Sequence, residues 1–178
     1  KDLFAHQHQA QANTWLGYNS NLLRDGDKIR ALRLRTNLYP TRSLTNKQSS
    51  DPTAQLCRRC GLRKETAFHI LQECESIDLP RKERHNYIAK QVARLTKEKL
   101  PNSTVREEPV FTTSSGTRLK PDLVIETPHE TIIVDVAVAW DANEGVITSK
   151  CRDKIKKYST LRSKFTTTKK FQVFGMAF

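Results

Sequence analysis

Residues 120–138 read KPDLVIETPHETIIVDVAV, and this stretch decides the fold. Leu123-Val124-Ile125 and Ile132-Ile133-Val134 are short β-branched runs on either side of the turn-like Thr127-Pro128-His129-Glu130, a pattern that predicts paired strands. Asp122 opens the first run and Asp135 lies inside the second. An ionised carboxylate in so apolar a strand is costly unless it is paired or holds a cation, so Asp135 asks for a partner. If the two runs are antiparallel neighbours, both carboxylates converge on one ion. Hard oxygen ligands with open positions suit Mg²⁺ or Mn²⁺. Such an ion stabilises charge on a phosphodiester and lowers the pKa of an attacking water. The alternative is a structural Asp135 paired with an arginine such as Arg118, beside a turn aspartate that follows a proline.

Outward from this hairpin the periods change. Pro109-Val110-Phe111 reads as a further short strand. Before it, after Pro80, Tyr87, Ile88, Val92 and Leu95 recur at helical spacing, with Lys and Arg on the other face. Beyond it, over residues 146–165, Ile147, Cys151, Ile155, Tyr158 and then Leu161 or Phe165 step by three or four, and Phe171-Gln172-Val173-Phe174 forms a last strand. The class is α+β, with a small α-β-β-β-α-β core over residues 81–178 and no internal repeat.

Residues 56–80 hold a different chemistry. Cys57, Cys60, His69 and Cys74 are spaced C-x2-C-x8-H-x4-C. A C-x2-C pair places two thiolates on one ion from a tight turn, and Gly61 permits the positive φ that such a turn needs. His69 and Cys74 fall on a predicted helix, about a turn and a half apart. Four soft or borderline ligands without a carboxylate describe a closed, structural Zn²⁺ site. Arg58, Arg59 and Arg63 crowd the turn and are candidate phosphate contacts, as is Lys120.

Residues 1–55 form a basic helical lead-in. Residues 1–24 read as a short helix or tether. Asp27 is placed to cap a helix bearing Ile29, Leu32 and Leu38 among Arg30, Arg33 and Arg35. That helix is either a solvated arginine face beside a core stripe or one that lies along a phosphate backbone. Residues 41–55 are a polar, turn-rich linker.

The whole chain of 178 residues has 31 Lys and Arg against 19 Asp and Glu, a net charge of +12, positive in every part. This excess points to a polyanionic partner. Composition argues against disorder, collagen and membrane bundles, and no apolar run approaches the ~18–20 residues of a membrane helix. Four cysteines, three of them clustered with a histidine, fit a reducing compartment better than a disulfide scaffold. A chain that starts at Lys1 reads as a segment of something longer.

The P-D, twelve residues, D pattern begins the PD-(D/E)xK nuclease signature, in which a lysine two residues beyond the second acid orients the water. Here that position is Ala137. Lys150, Lys154 and Lys157 share one face of the following helix at the border of its core stripe, so a lysine displaced onto that helix is geometrically reasonable. The bland reading of three helical lysines is a solvated face.

The CCHC cluster, KPD-x12-D and then KxxKY at Lys154 to Tyr158, in this order, resemble the C-terminal zinc knuckle and restriction-like endonuclease region of site-specific non-LTR retrotransposons, the ribosomal-DNA-inserting type included. The segment RALRLRTNLYPTR resembles that family's linker, and the likeness runs from about Ile29 to Phe178. It implies that Asp122 and Asp135 bind Mg²⁺ or Mn²⁺ and that Lys154, with Lys157, replaces the missing lysine. It also implies that the zinc knuckle sits beside nucleic acid. The chain would nick target DNA in the nucleus and leave a 3′ hydroxyl that primes reverse transcription of element RNA by the parent polymerase. The resemblance leaves open the acid from the first helix: Glu83, Glu98, Glu108 and Glu126 are candidates. No membrane and no small-molecule substrate enter this reading.

Two other functions fit the same residues. One is a catalytically inactive binding module, supported by Ala137. The other is a stand-alone repair or junction-resolving nuclease.

Overall fold

The computed structural model describes residues 23–140, 145–165 and 168–177. The chain is α+β and forms two compact units, divided between Cys74 and Glu75. The expected short helix or tether over residues 1–24 falls, but for its last two residues, outside the described part.

In the first unit, α1 (Asp25–Arg35) starts one turn earlier than the sequence suggests, with Arg24 at its N-cap and Asp27 in the first turn, ion-paired to Arg30. Its basic last turn, Arg33 and Arg35, complements the negative end of the helix dipole. The Thr36 hydroxyl donates to the Leu32 carbonyl, and Asn37 adopts φ +58°, which ends the helix. The anticipated core stripe is not buried: Ile29, Leu32 and Leu38 are all exposed. A short helix, α2 (Arg42–Thr45), and a 3₁₀ turn (Pro52–Gln55) take up part of the expected linker.

The second unit opens on α3 (Asp78–Lys99). Then come β1 (Thr104–Glu107), the two-stranded hairpin β2 (Phe111–Thr112) and β3 (Arg118–Leu119), β4 (Leu123–Glu126) and β5 (Glu130–Ala137). Helix α4 (Val146–Ser159), continued by a 3₁₀ turn (Thr160–Lys164), crosses over to β6 (Lys170–Ala177). The main sheet has the order β1-β4-β5-β6: β1, β4 and β5 are antiparallel, and β6 lies parallel to β5. The Val110–Phe111 run, expected in the main sheet, builds the separate hairpin, and Thr104–Glu107 takes the sheet position instead.

Strand alternation divides the core between the two faces of the sheet. Leu123, Ile125 and Val134 pack with Ala93 of α3, while Val124 and Ile133 pack with Tyr158 and Leu161 of the α4 segment. The central strand β5 is therefore covered on both faces, which explains its unbroken apolar run. Asp135 is one residue beyond Val134, and alternation turns it toward α4. No helix among the described residues is long and apolar enough to cross a membrane.

Candidate metal centre and carboxylate site

Cys57, Cys60, His69 and Cys74 bring their ligand atoms within 4.8 Å of one another. The first turn is set by local hydrogen bonds: Cys57 N–H donates to the Arg63 carbonyl, Gly61 N–H donates to the Cys57 carbonyl, and Gly61 sits at φ +68°. The x4 spacing works because His69–Glu73 is a π-helical turn, not the α-helix expected, closed by Cys74 N–H donating to the His69 carbonyl at 2.8 Å. An i to i+5 closure brings His69 and Cys74 to the same side of the turn. Thr66 Oγ1 accepts from the His69 N–H at its start.

The donor set fits zinc. Cys57 Sγ and Cys74 Sγ are 3.9 Å apart, and Cys60 Sγ is 3.3 Å from His69 Nε2. Ligand atoms bound at ~2.0–2.3 Å in a tetrahedron lie roughly 3.3–3.8 Å from one another. All the cysteines are free thiols, and the Cys60 thiol is drawn down to about 6, mainly by the Leu62 backbone N–H. The cluster is a Cys3His zinc-binding site.

Sequence reading missed the acid that braces this turn. Glu65 is 1% exposed. It accepts from the backbone N–H groups of Arg42 and Arg58 at 3.0 and 2.9 Å and holds the Arg58 guanidinium through a 2.6 Å contact. Arg58 keeps its carboxyl near 2. Of the expected phosphate contacts, Arg58 is thus committed to Glu65, Arg63 pairs with Glu73, Arg30 pairs with Asp27, and Lys120, in the second unit, pairs with Glu108. Arg33, Arg35 and Arg59 present exposed side chains.

The second unit assembles a different site. Asp122 and Asp135 are 9% and 2% exposed. Asp122 Oδ2 accepts from the Val136 N–H at 2.6 Å, which ties the head of β4 to the peptide after Asp135. Asp135 is ion-paired with Lys154 of α4, not with Arg118, which lies in the separate β2–β3 hairpin. Burial, reinforced by the Asp135 charge, raises the Asp122 pKa above the usual carboxylate range. A buried carboxylate whose proton affinity is raised by burial and by a second buried carboxylate beside it belongs to a donor set that a hard divalent cation relieves.

Lys157 is not brought to the carboxylates. Its Nζ donates to Tyr158 Oη at 3.0 Å, and Tyr158 Oη donates to the Lys120 carbonyl at 3.0 Å. Tyr158 is 1% exposed, and burial, with the nearby Asp135 charge, pushes its pKa upward. None of the four candidate acids reaches across to Asp122 with its side chain: Glu108, Glu126 and Glu98 pair with Lys120, Arg106 and Arg94, and Glu83 is exposed. His85 of α3 does so instead, with Nε2 3.3 Å from Asp122 Oδ2. Its signal in the sequence is a histidine within the predicted helix, with nothing local to connect it with Asp122.

A second unforeseen residue is Gly175 of β6, opposite Asp135 in the parallel register. A Cβ there would meet the Cys151 carbonyl oxygen at 2.5 Å and Lys154 Cβ at 2.9 Å. Only glycine lets α4 lie this close to the sheet.

No family model matches the chain. Curated relatives do. The Retrovirus-related Pol polyprotein from type-1 retrotransposable element R2 of Popillia japonica is 36% identical over 120 residues, 66% of this chain and 16% of that protein. A second such polyprotein of Popillia japonica is 31% identical over 127 residues, 71% of this chain and 25% of its own length. The chain is homologous to R2 retrotransposon Pol polyproteins. The type-2 element R2DM of Drosophila melanogaster is a further relative, 29% identical over 136 residues, 76% of this chain and 12% of that polyprotein. The chain therefore spans a quarter or less of each of these R2 relatives.

Proposed function

We propose that residues 75–178 are a metal-dependent DNA endonuclease of PD-(D/E)xK type, and that the chain is the part of a retrotransposon polyprotein that nicks target DNA in the nucleus to prime reverse transcription of element RNA. The observation that carries this reading is the ion pair between Asp135 and Lys154. The usual signature lacks its lysine at Ala137, and an ammonium from α4 stands beside the second carboxylate in its stead.

Asp122 and Asp135 would hold Mg²⁺ or Mn²⁺, which when bound offsets charge on the scissile phosphodiester and eases deprotonation of water. Lys154 donates to the anionic oxygens that gain charge as water bonds to phosphorus and the P–O3′ bond breaks. The leaving oxygen takes a proton and becomes the 3′ hydroxyl, and the phosphate stays on the 5′ side. Lys157 and Tyr158 support the Lys120 backbone, two residues from Asp122. The zinc site and the exposed Arg33, Arg35 and Arg59 give the first unit a positive surface for the nucleic acid backbone.

The deciding experiment is nicking of supercoiled plasmid with Mg²⁺, Mn²⁺ or EDTA. Metal-dependent relaxation by the parent chain, lost in Asp135→Ala with DNA binding retained, is the expected outcome. Binding without cutting by the parent would instead favour the inactive binding module to which Ala137 pointed. A preference for branched over linear DNA would favour a junction-resolving nuclease.

A further inference from the structure

We propose that His85 is a positioning residue for Asp122, fixing which of its oxygens faces a divalent cation; this rests on the metal-dependent reading above. His85 Nε2 lies 3.3 Å from Asp122 Oδ2 and 3.2 Å from the Val136 carbonyl oxygen. A carbonyl oxygen only accepts, and so does an ionised carboxylate, so the nitrogen facing both is the one that carries a proton. His85 is therefore a donor on this side, not a base.

The consequence lies in the geometry of Asp122. Its Oδ2 receives the Val136 N–H at 2.6 Å and lies 3.3 Å from His85 Nε2, whose N–H bonds the Val136 carbonyl. With the Val136 N–H bound to Oδ2 and the His85 ring beside that same oxygen, Oδ1 is the oxygen left to a metal. The same imidazole contacts the carbonyl of Val136, whose N–H holds Asp122 and which follows Asp135 directly. One ring on α3 thus links the orientation of the first carboxylate to the backbone carrying the second. Outer hydrogen bonds of this kind orient a metal ligand without touching the ion, and their loss typically lowers metal affinity or activity ~10–100-fold. His85 also stands where an acid from the first helix was anticipated, so the centre is built from two carboxylates and a donor.

The test compares His85→Leu and His85→Gln with the parent 178-residue chain; Gln keeps an N–H donor at similar reach. Mn²⁺ binding is measured without DNA by calorimetry, with Asp122→Asn as the control that removes the site, and the Mg²⁺ dependence of nicking is measured in parallel. The inference expects His85→Leu to weaken Mn²⁺ binding by about tenfold or more and to raise the half-saturating Mg²⁺ to match. Thermal unfolding of the metal-free protein should stay near that of the parent, and His85→Gln should recover most of the affinity. His85→Leu with parental Mn²⁺ affinity, while Asp122→Asn abolishes binding, overturns the role of His85 and leaves the metal site standing. No Asp122-dependent binding in the parent overturns both.

Discussion

Asp135 and Gly175 face each other across the parallel pair β5–β6, and the bare Cα of Gly175 is what brings the backbone of α4 close enough for Lys154 to reach the carboxylate. The lysine's position therefore depends on a residue that makes no polar contact with it.

Gly175→Ala should damage this arrangement. The nearest atoms are the Cys151 carbonyl oxygen and Cα, at 2.5 and 2.7 Å, and backbone yields less readily than a side-chain tip. Overpacking of this kind costs ~1–3 kcal/mol. Thermal denaturation should show that loss, and plasmid nicking should fall more than tenfold as Lys154 is moved off Asp135. Parental rates in a destabilised variant would separate packing from catalysis.

Lys154→Ala and Lys157→Ala should differ. Removing Lys154 takes the ion-pair partner from a buried carboxylate and removes the proposed donor, so nicking should fall ~10²–10³-fold with DNA affinity nearly unchanged. Lys157, bound to Tyr158, should cost less. Equal losses in single-turnover rates would contradict this division.

Acid should act on Glu65 with a defined sign. Its carboxyl is lowered from 4.5 to about 2, so its stabilisation is fully present above pH 4.5 and is lost as pH falls toward 2. The shift corresponds to at most ~3 kcal/mol, less the screening at the half-exposed Arg58. Glu65→Gln should therefore be less stable than the parent at neutral pH, and denaturant titrations should show the gap closing through that window.

Zinc should govern thiol reactivity. The chain has four cysteines, three of them in the Cys3His site. With one zinc bound, a thiol reagent should modify only Cys151 promptly; after chelation all four should react. Amide exchange should rise over residues 56–74 and change little in the β5–β6 pair.

Arg58 and Arg59 are neighbours with opposite predicted phenotypes. Arg58→Ala frees the buried Glu65 carboxylate and should destabilise the first unit, whereas Arg59→Ala should leave stability unchanged. If Arg59 meets a phosphate, its loss reduces the slope of log affinity against log salt by about one, measurable by fluorescence anisotropy.

The carboxylates and the zinc ligands were legible because their signals are local: a charge inside an apolar run, and soft ligands at short spacing. The strand Thr104–Glu107 was not, since three of its four residues are exposed, with only Val105 half-buried, and an edge strand in that setting loses the alternation that marks a half-buried one. Val110–Phe111 carries the stronger apolar signal, yet its strand pairs in the separate hairpin. Glu65, His85 and Gly175 act through partners distant in sequence, and no window around any of them holds the second half of the contact. Which of Lys150, Lys154 and Lys157 pairs with Asp135 depends on how α4 rotates against β6, which no local pattern encodes.

The parallel β5–β6 pairing has a further consequence in time. Both carboxylates belong to a hairpin whose strands are joined by three residues, Thr127 to His129, an arrangement that closes early and locally. Lys154 arrives only when a crossover helix has been laid down on a strand some forty residues later. A partly folded chain would thus carry its acids without its ammonium, and the Asp135–Lys154 pair becomes the last part of this site that the fold completes.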